Sequence, residues 1–223
     1  IYGGGKGIDC NRTIVLNIVA CIVYQTNDIA YHVRNTSNSV LISGCRSFQI
    51  TGHAVVVEKS HELNLSSNIF CWHTGHGVVV EDCFWGTITG NNVIDVGSLN
   101  PGGENFTFPI EDLGDHERFR GIDLRQARGF SVSGNSIFNW IVCPKMEYGI
   151  YEDEASYNNT ISGNNVNYYT EDAVVSLGRG SVTANNVGYA DRPYNDEESE
   201  PDVIQTFKKE LTERFIAEMR VPS

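Results

Sequence analysis

A small residue followed by an apolar one recurs along this chain at nearly even spacing. It appears as Gly7-Ile8, Ala30-Tyr31, Ala54-Val55, Gly77-Val78, Gly121-Ile122, Gly149-Ile150 and Ala173-Val174, at intervals of 23, 24, 23, 44, 28 and 24 residues. Several of these starts precede a second short segment that ends in an Asn turn. Examples are Thr87-Ile-Thr-Gly-Asn-Asn92, Ser131-Val-Ser-Gly-Asn135, Thr160-Ile-Ser-Gly-Asn-Asn165 and Ser181-Val-Thr-Ala-Asn-Asn186. A fixed period of this size specifies a stacked solenoid. One such unit cannot bury its own apolar face and must lean on its neighbours.

Each start reads as a strand whose side chains alternate in and out. The first position after the small residue is apolar throughout. The third holds Cys10, Val33, Val57, Val80 and Leu124, then Glu152 and Ser176, so the core either narrows or changes register near the end. The second and fourth positions point outward and carry, among others, His32, Arg34, Glu58, Glu81, Asp123, Arg125 and Tyr151. The Asn residues are expected to ladder between coils and to occupy the left-handed turn that Asn tolerates. Cys21 and Cys45 lie one repeat apart, so they form either a disulfide or part of a column of small buried side chains.

Bulk properties exclude several classes of function. Charged residues are 20% of the chain and the net charge is −12, which leaves little to neutralise a nucleic-acid backbone. No run of 18 apolar residues exists, so no membrane-spanning helix is expected. The chain starts at Ile1 and enters the repeat within a few residues, which suggests a processed or truncated product. The expected organisation is a solenoid over 1–190, interrupted by an insertion loop over 97–120. A charged linker follows over 191–200, then an amphipathic helix over 201–223 that caps the solenoid or joins subunits.

Coils of this length, with Gly-Ile starts and Thr-Ile-Ser-Gly-Asn-Asn turns, resemble the right-handed parallel β-helix of the pectin-lyase-like superfamily. The resemblance covers roughly residues 3 to 190. It implies an all-β solenoid of about seven coils and a carbohydrate groove along an outward strand face. It also implies a secreted, surface or virion-associated location, with a polysaccharide or glycan as partner. Members include polysaccharide lyases, glycoside hydrolases, epimerases of uronic-acid polymers and phage tailspikes. Tailspike-type members suggest a homotrimer.

Two sets of residues form candidate chemistry. The residues just before the strand starts, Lys6, Ile29, His53, His76, Arg120, Tyr148 and Asp172, make a largely polar column. Such a column could grip a sugar chain, or merely reflect exposed corners. Beside it run Glu58, Glu81, Asp123 and Arg125. A hydrolase needs a carboxylic acid and a second carboxylate. A lyase needs a base and a cation to neutralise the uronate carboxyl, for which Arg125, Arg120 or calcium could serve. The expected catalytic set is Glu81, Asp123, His76 and Arg125. His53, Glu58, Arg120, Tyr148 and Tyr151 would contact substrate, with His116 closing from the insertion. The alternative is a glycan-binding or structural β-helix without catalysis. Gly75-His76-Gly77 looks like the Gly-His-Gly of polygalacturonases. However, Gly52-His53-Ala54 holds the same place one coil earlier, and the Asp-Asp pair and Arg-x-Lys of those enzymes are missing. The Asp-Pro-His of alginate epimerases is missing too.

Overall fold

The computed structural model describes residues 1–36, 38–97, 119–139 and 146–190. These residues wind into a parallel β-helix of three sheets with seven strands each, and no helix occurs among the described residues. The first sheet is built from Ile8–Asn11, Tyr31–Arg34, Val55–Glu58, Val78–Glu81, Phe119–Arg125, Met146–Glu152 and Asp172–Ser176. The second runs from Leu16–Val19 to Val182–Ala184, and the third from Ile22–Tyr24 to Val187–Tyr189.

The repeat predicts the register residue for residue. Ile8, Tyr31, Val55, Val78, Ile122, Ile150 and Val174 pair along one row of the first sheet. Side chains on this row and two positions beyond it point inward. Val33, Val57, Val80 and Leu124 are completely buried. The small residue at each start is demanded by the corner between the third and first sheets. A Cβ on Gly121 would lie 2.4 Å from Ile137 Cγ2 and 2.5 Å from the Gly149 carbonyl oxygen.

The register does not slip where the core turns polar. Leu124 still pairs with Glu152, and Glu152 with Ser176. Glu152 points inward, fully buried, and accepts hydrogen bonds from Ser176 Oγ, from Asn159 Nδ2 at 2.7 Å and from Ser181 Oγ at 2.6 Å. A buried carboxylate is tolerable only with its lone pairs occupied, and here the next coil supplies two hydroxyls and its own coil an amide.

The corner between the second and third sheets carries the asparagine ladder. Asn68, Asn91, Asn135 and Asn164 each accept, on Oδ1, the backbone N–H of the preceding member of the column, at 2.8–3.1 Å. Each Nδ2 donates to a carbonyl of the previous coil, as from Asn91 to Leu65 at 3.0 Å. The left-handed conformation expected of the turn asparagines is taken by Asn185, at φ 54, but not by these four. It falls one position earlier, on Ser67, Gly90, Gly134 and Gly163. The turn is made by one residue, which frees the next amide to span the coils. Cys21 and Cys45 extend this column, and both thiols are free. Cys45 Sγ donates to Ile18 O at 3.4 Å, taking the part that Nδ2 plays in later coils. The small-side-chain reading therefore holds over the disulfide.

Most of the insertion, including His116, lies outside the described residues, as do Cys143 and the 191–223 linker and helix. Phe119 and Arg120, assigned to the insertion from sequence, are strand residues. Among the described residues no helix is long and apolar enough to cross a membrane.

Asn91→Ala would remove the buried acceptor of the Asn68 N–H, one of the two bonds of the Asn68 amide and a donor to the Leu65 carbonyl. A loss of about 2–4 kcal/mol is expected in urea unfolding at unchanged slope. Thr87→Ala, on the exposed face of the same coil, should change stability by less than about 0.5 kcal/mol.

Candidate functional site

The outward face of the first sheet gathers most of the residues singled out by sequence. On the strand Phe119–Arg125, alternation turns Ile122 and Leu124 inward and Asp123 and Arg125 outward. Asp123 is nevertheless fully buried, because its neighbours close over it. Arg120 Nη1 donates to Oδ1 at 2.8 Å, and Arg125 donates to Oδ2 through Nε at 2.8 Å, with its Nη2 in ion-pair contact at 2.6 Å. A carboxylate gripped this way has its lone pairs committed, so it orients the two guanidiniums. Arg120 in turn lies over the Tyr151 ring, 3.6 Å from its centroid, and Tyr151 stacks on Tyr148 at 5.3 Å. Cationic and aromatic faces thus meet on one surface.

Two histidines cap the corner beside this cluster. His53 Nδ1 accepts the His76 backbone N–H at 2.9 Å, and His76 Nδ1 accepts that of Arg120 at 2.9 Å. The rings stack 5.0 Å apart at 12°. With Nδ1 accepting, each neutral ring carries its proton on Nε2. For His76 that atom lies 4.0 Å from Asp123 Oδ2 and 3.3 Å from Arg125 Nη2. Burial and then the neighbouring His53, Arg125 and Arg120 push the His76 pKa down to about 3, and burial lowers that of His53. Both rings are therefore neutral, with the more basic nitrogen already occupied.

This geometry accounts for Gly75-His76-Gly77 without catalysis. A Cβ on Gly75 would lie 2.6 Å from His53 Nδ1, so glycine is needed for that ring to reach the next backbone N–H. His76 is the cap, and Gly77 is the tight corner residue.

Two partly exposed carboxylates, Glu81 and Glu58, pair directly across neighbouring coils as the spacing predicts. Glu81 is 44% exposed in its side chain and approaches Arg125 Nη1 at 3.9 Å. It sits opposite Arg125, while Asp123 sits opposite Val79, so the Glu81 and Asp123 Cα atoms are about 8 Å apart on the diagonal. Glu58 belongs to a second network that the sequence pattern did not single out. Lys6 Nζ donates to His32 Nδ1 at 2.7 Å, and His32 Nε2 donates to Glu58 Oε1 at 2.9 Å. Arg34 holds Asp9 by two bonds of 3.1 and 2.7 Å, which keeps that carboxyl below its ordinary range. The outward positions named these residues. Which of them bond across 26 residues depends on side-chain reach.

Both large interruptions of the repeat re-enter the chain at this cluster. Residues 98–118 join Gly97 to Phe119, whose ring edge meets His76 at 5.9 Å, and residues 140–145 join Asn139 to Met146. Among the described residues no three His, Cys, Asp or Glu side chains are grouped to hold a metal ion. The calcium expectation thus finds no ligand set there, and the acidic residues 111–117 lie outside the described residues.

Comparison with solved structures bears on the fold. The chain is similar to the A-module of mannuronan C-5 epimerase AlgE6 of Azotobacter vinelandii, with a TM-score of 0.58 and 12% identity, covering 86% of this chain and 57% of that one. The fold is that of the pectin-lyase-like parallel β-helices. The enzymatically active domain of bacteriophage CBA120 tailspike protein 2 also matches, at 14% identity and a TM-score of 0.39, over 83% of this chain and 38% of that one. The chain therefore spans little more than half of the epimerase module. No family model and no curated protein matches the sequence.

Acid should loosen this corner. Because the folded His76 pKa lies below the ordinary 6.5, the folded state binds fewer protons than the unfolded one between about pH 6.5 and 3. The histidine contribution is complete above about pH 6.5 and is lost as pH falls. The melting temperature should decline from pH 6.5 to 5, and His76→Asn should flatten that slope in pH-resolved calorimetry.

Proposed function

We propose that this is a carbohydrate-active protein that cleaves or rearranges a polysaccharide lying along the outward face of the first sheet, beside residues 98–118. The observation that carries the reading is the Asp123 anchor. A sealed carboxylate fixes two guanidiniums at an exposed surface, one of them on a tyrosine pair, next to the partly exposed carboxylate of Glu81. Pre-set donors of this kind stabilise negative charge as it develops, without reorganising during the reaction.

In this reading Glu81 moves the proton, as acid or base. Arg125, within 3.9 Å of Glu81, neutralises charge on the sugar, while Arg120 and the Tyr148–Tyr151 pair bind a neighbouring ring. Asp123 acts through the arginines as a positioning residue, and His76 through the backbone of Arg120. His53 supports His76, and Glu58, tied to His32, lines the approach. The mannuronan C-5 epimerase that shares the fold acts on a polysaccharide by its name, which supports a glycan ligand.

One observation favours a second reading, glycan binding without catalysis. Nδ1 of His76 and the oxygens of Asp123 are already bonded, and Glu58, opposite Glu81 on the neighbouring coil, is tied to His32, so each of these candidate acid–base partners of Glu81 is engaged.

Glu81→Gln separates the two. The catalytic reading expects turnover of a polysaccharide substrate to fall by about 100-fold or more, with retention in polysaccharide-containing gels and the melting temperature unchanged. Native turnover in the variant would remove Glu81 from the mechanism. Retention by the native protein with no product from any polymer tested would establish the binding reading. Arg125→Ala should weaken retention about tenfold under either one.

A further inference from the structure

On the second sheet, a different face carries a feature that the fold does not require. One column there is held in the left-handed conformation: Glu62 at φ 52, Trp85 at 54, Gly129 at 71, Asn158 at 57 and Gly180 at 74. Glycine and asparagine are the residues this backbone selects. Tryptophan is not, and this one is 65% exposed, so burial gives no reason for it. The indole rests against the next coil, because Gly129 has no side chain. A Cβ there would lie 2.8 Å from Trp85 Cδ1.

The adjacent column is aromatic and basic throughout. His61, Phe84, Arg128, Tyr157 and Arg179 are bridged coil to coil. His61 stacks on Phe84 at 4.9 Å and 15°. The Arg128 guanidinium lies 4.5 Å from the Phe84 centroid and 5.3 Å from that of Tyr157. Among the described residues no carboxylate pairs with Arg128 or Arg179, whereas Arg34, Arg120 and Arg125 on the first sheet each hold an aspartate. Arg128 Nε is buried with no hydrogen-bond partner. In a chain of net charge −12, this is a strip of unpaired cations beside an exposed indole.

We propose that this strip is a second binding surface, separate from the first-sheet site, that holds a strand of acidic polysaccharide parallel to the solenoid axis. The exposed indole of Trp85 meets the apolar face of a pyranose ring, while the edges of the stacked His61 and Phe84 rings line its path. Arg128 and Arg179 meet the acidic substituents. From His61 to Tyr157 the strip covers three coil steps, about 14 Å, so it grips several sugars. Two arginines release few counterions, which favours an acidic glycan over a nucleic acid.

The test exploits the left-handed backbone. Trp85→Gly relieves that conformation while deleting the ring, so a binding role and a structural role move in opposite directions. The full chain is run in native gels containing polygalacturonate, alginate or dextran sulfate, with dextran as neutral control. Its melting temperature is measured in parallel. We expect Trp85→Gly to melt at or above the native temperature and to lose about tenfold in retention by at least one acidic polymer. Arg128→Gln should lose a similar factor, and retention of the native chain should fall with salt. Native-like retention of Trp85→Gly, or a drop in its melting temperature, overturns the proposal. So does equal retention of single-stranded DNA that depends on Trp85. If Arg125→Ala abolishes retention while Trp85→Gly does not, this surface fails and the first-sheet reading stands. If Trp85→Gly alone loses retention, the reverse holds.

Discussion

The structure depends on hydrogen bonds between coils at the corners. Within each sheet the parallel ladder pairs the backbone of neighbouring coils, but at the corners single amides fall out of that ladder. A buried amide without a partner costs as much as several good contacts provide. The protein meets this at one corner with an amide column from Asn68 to Asn186 and at another with His53 and His76. Each cap is one side chain reaching an adjacent coil, backward from the asparagines and onward from the histidines, so the coils must stay in register for any of them to work. That is why the row of strand starts remains aligned even where the core becomes polar at Glu152.

The candidate site grows out of the same device. His76 fixes the backbone of Arg120, Arg120 and Arg125 close over Asp123, and Tyr151 supports Arg120 from the next coil. The candidate side chains therefore stand on structural ones among the described residues. The consequence for chemistry is a division of labour. Groups that hold the scaffold have their lone pairs occupied, and only partly exposed groups such as Glu81 remain to act on a ligand.

Much of this was legible in the spacing. The interval between small residues placed Glu58 against Glu81 and Asp123 beside Tyr151, and both pairings occur. Comparing Gly75-His76-Gly77 with Gly52-His53-Ala54 already marked the motif as part of the repeat, and the cap geometry supplies the cause. Three things were hidden. Asp123 looked like an acid–base carboxylate because sequence does not reveal that Arg120 and Arg125 both bend onto it. The Lys6–His32–Glu58 chain joins side chains of three coils by reach alone. The left-handed residue was assigned to the ladder asparagines, although it falls on the residue before each.

By itself the sequence determined the coil length, the register and the set of side chains on each outward face, because those follow from backbone periodicity and need no knowledge of rotamers. Tertiary structure alone decided which of those side chains are sealed, neutral or available. That depends on how far each reaches across the coil spacing and on what remains in water once its neighbours have closed over it.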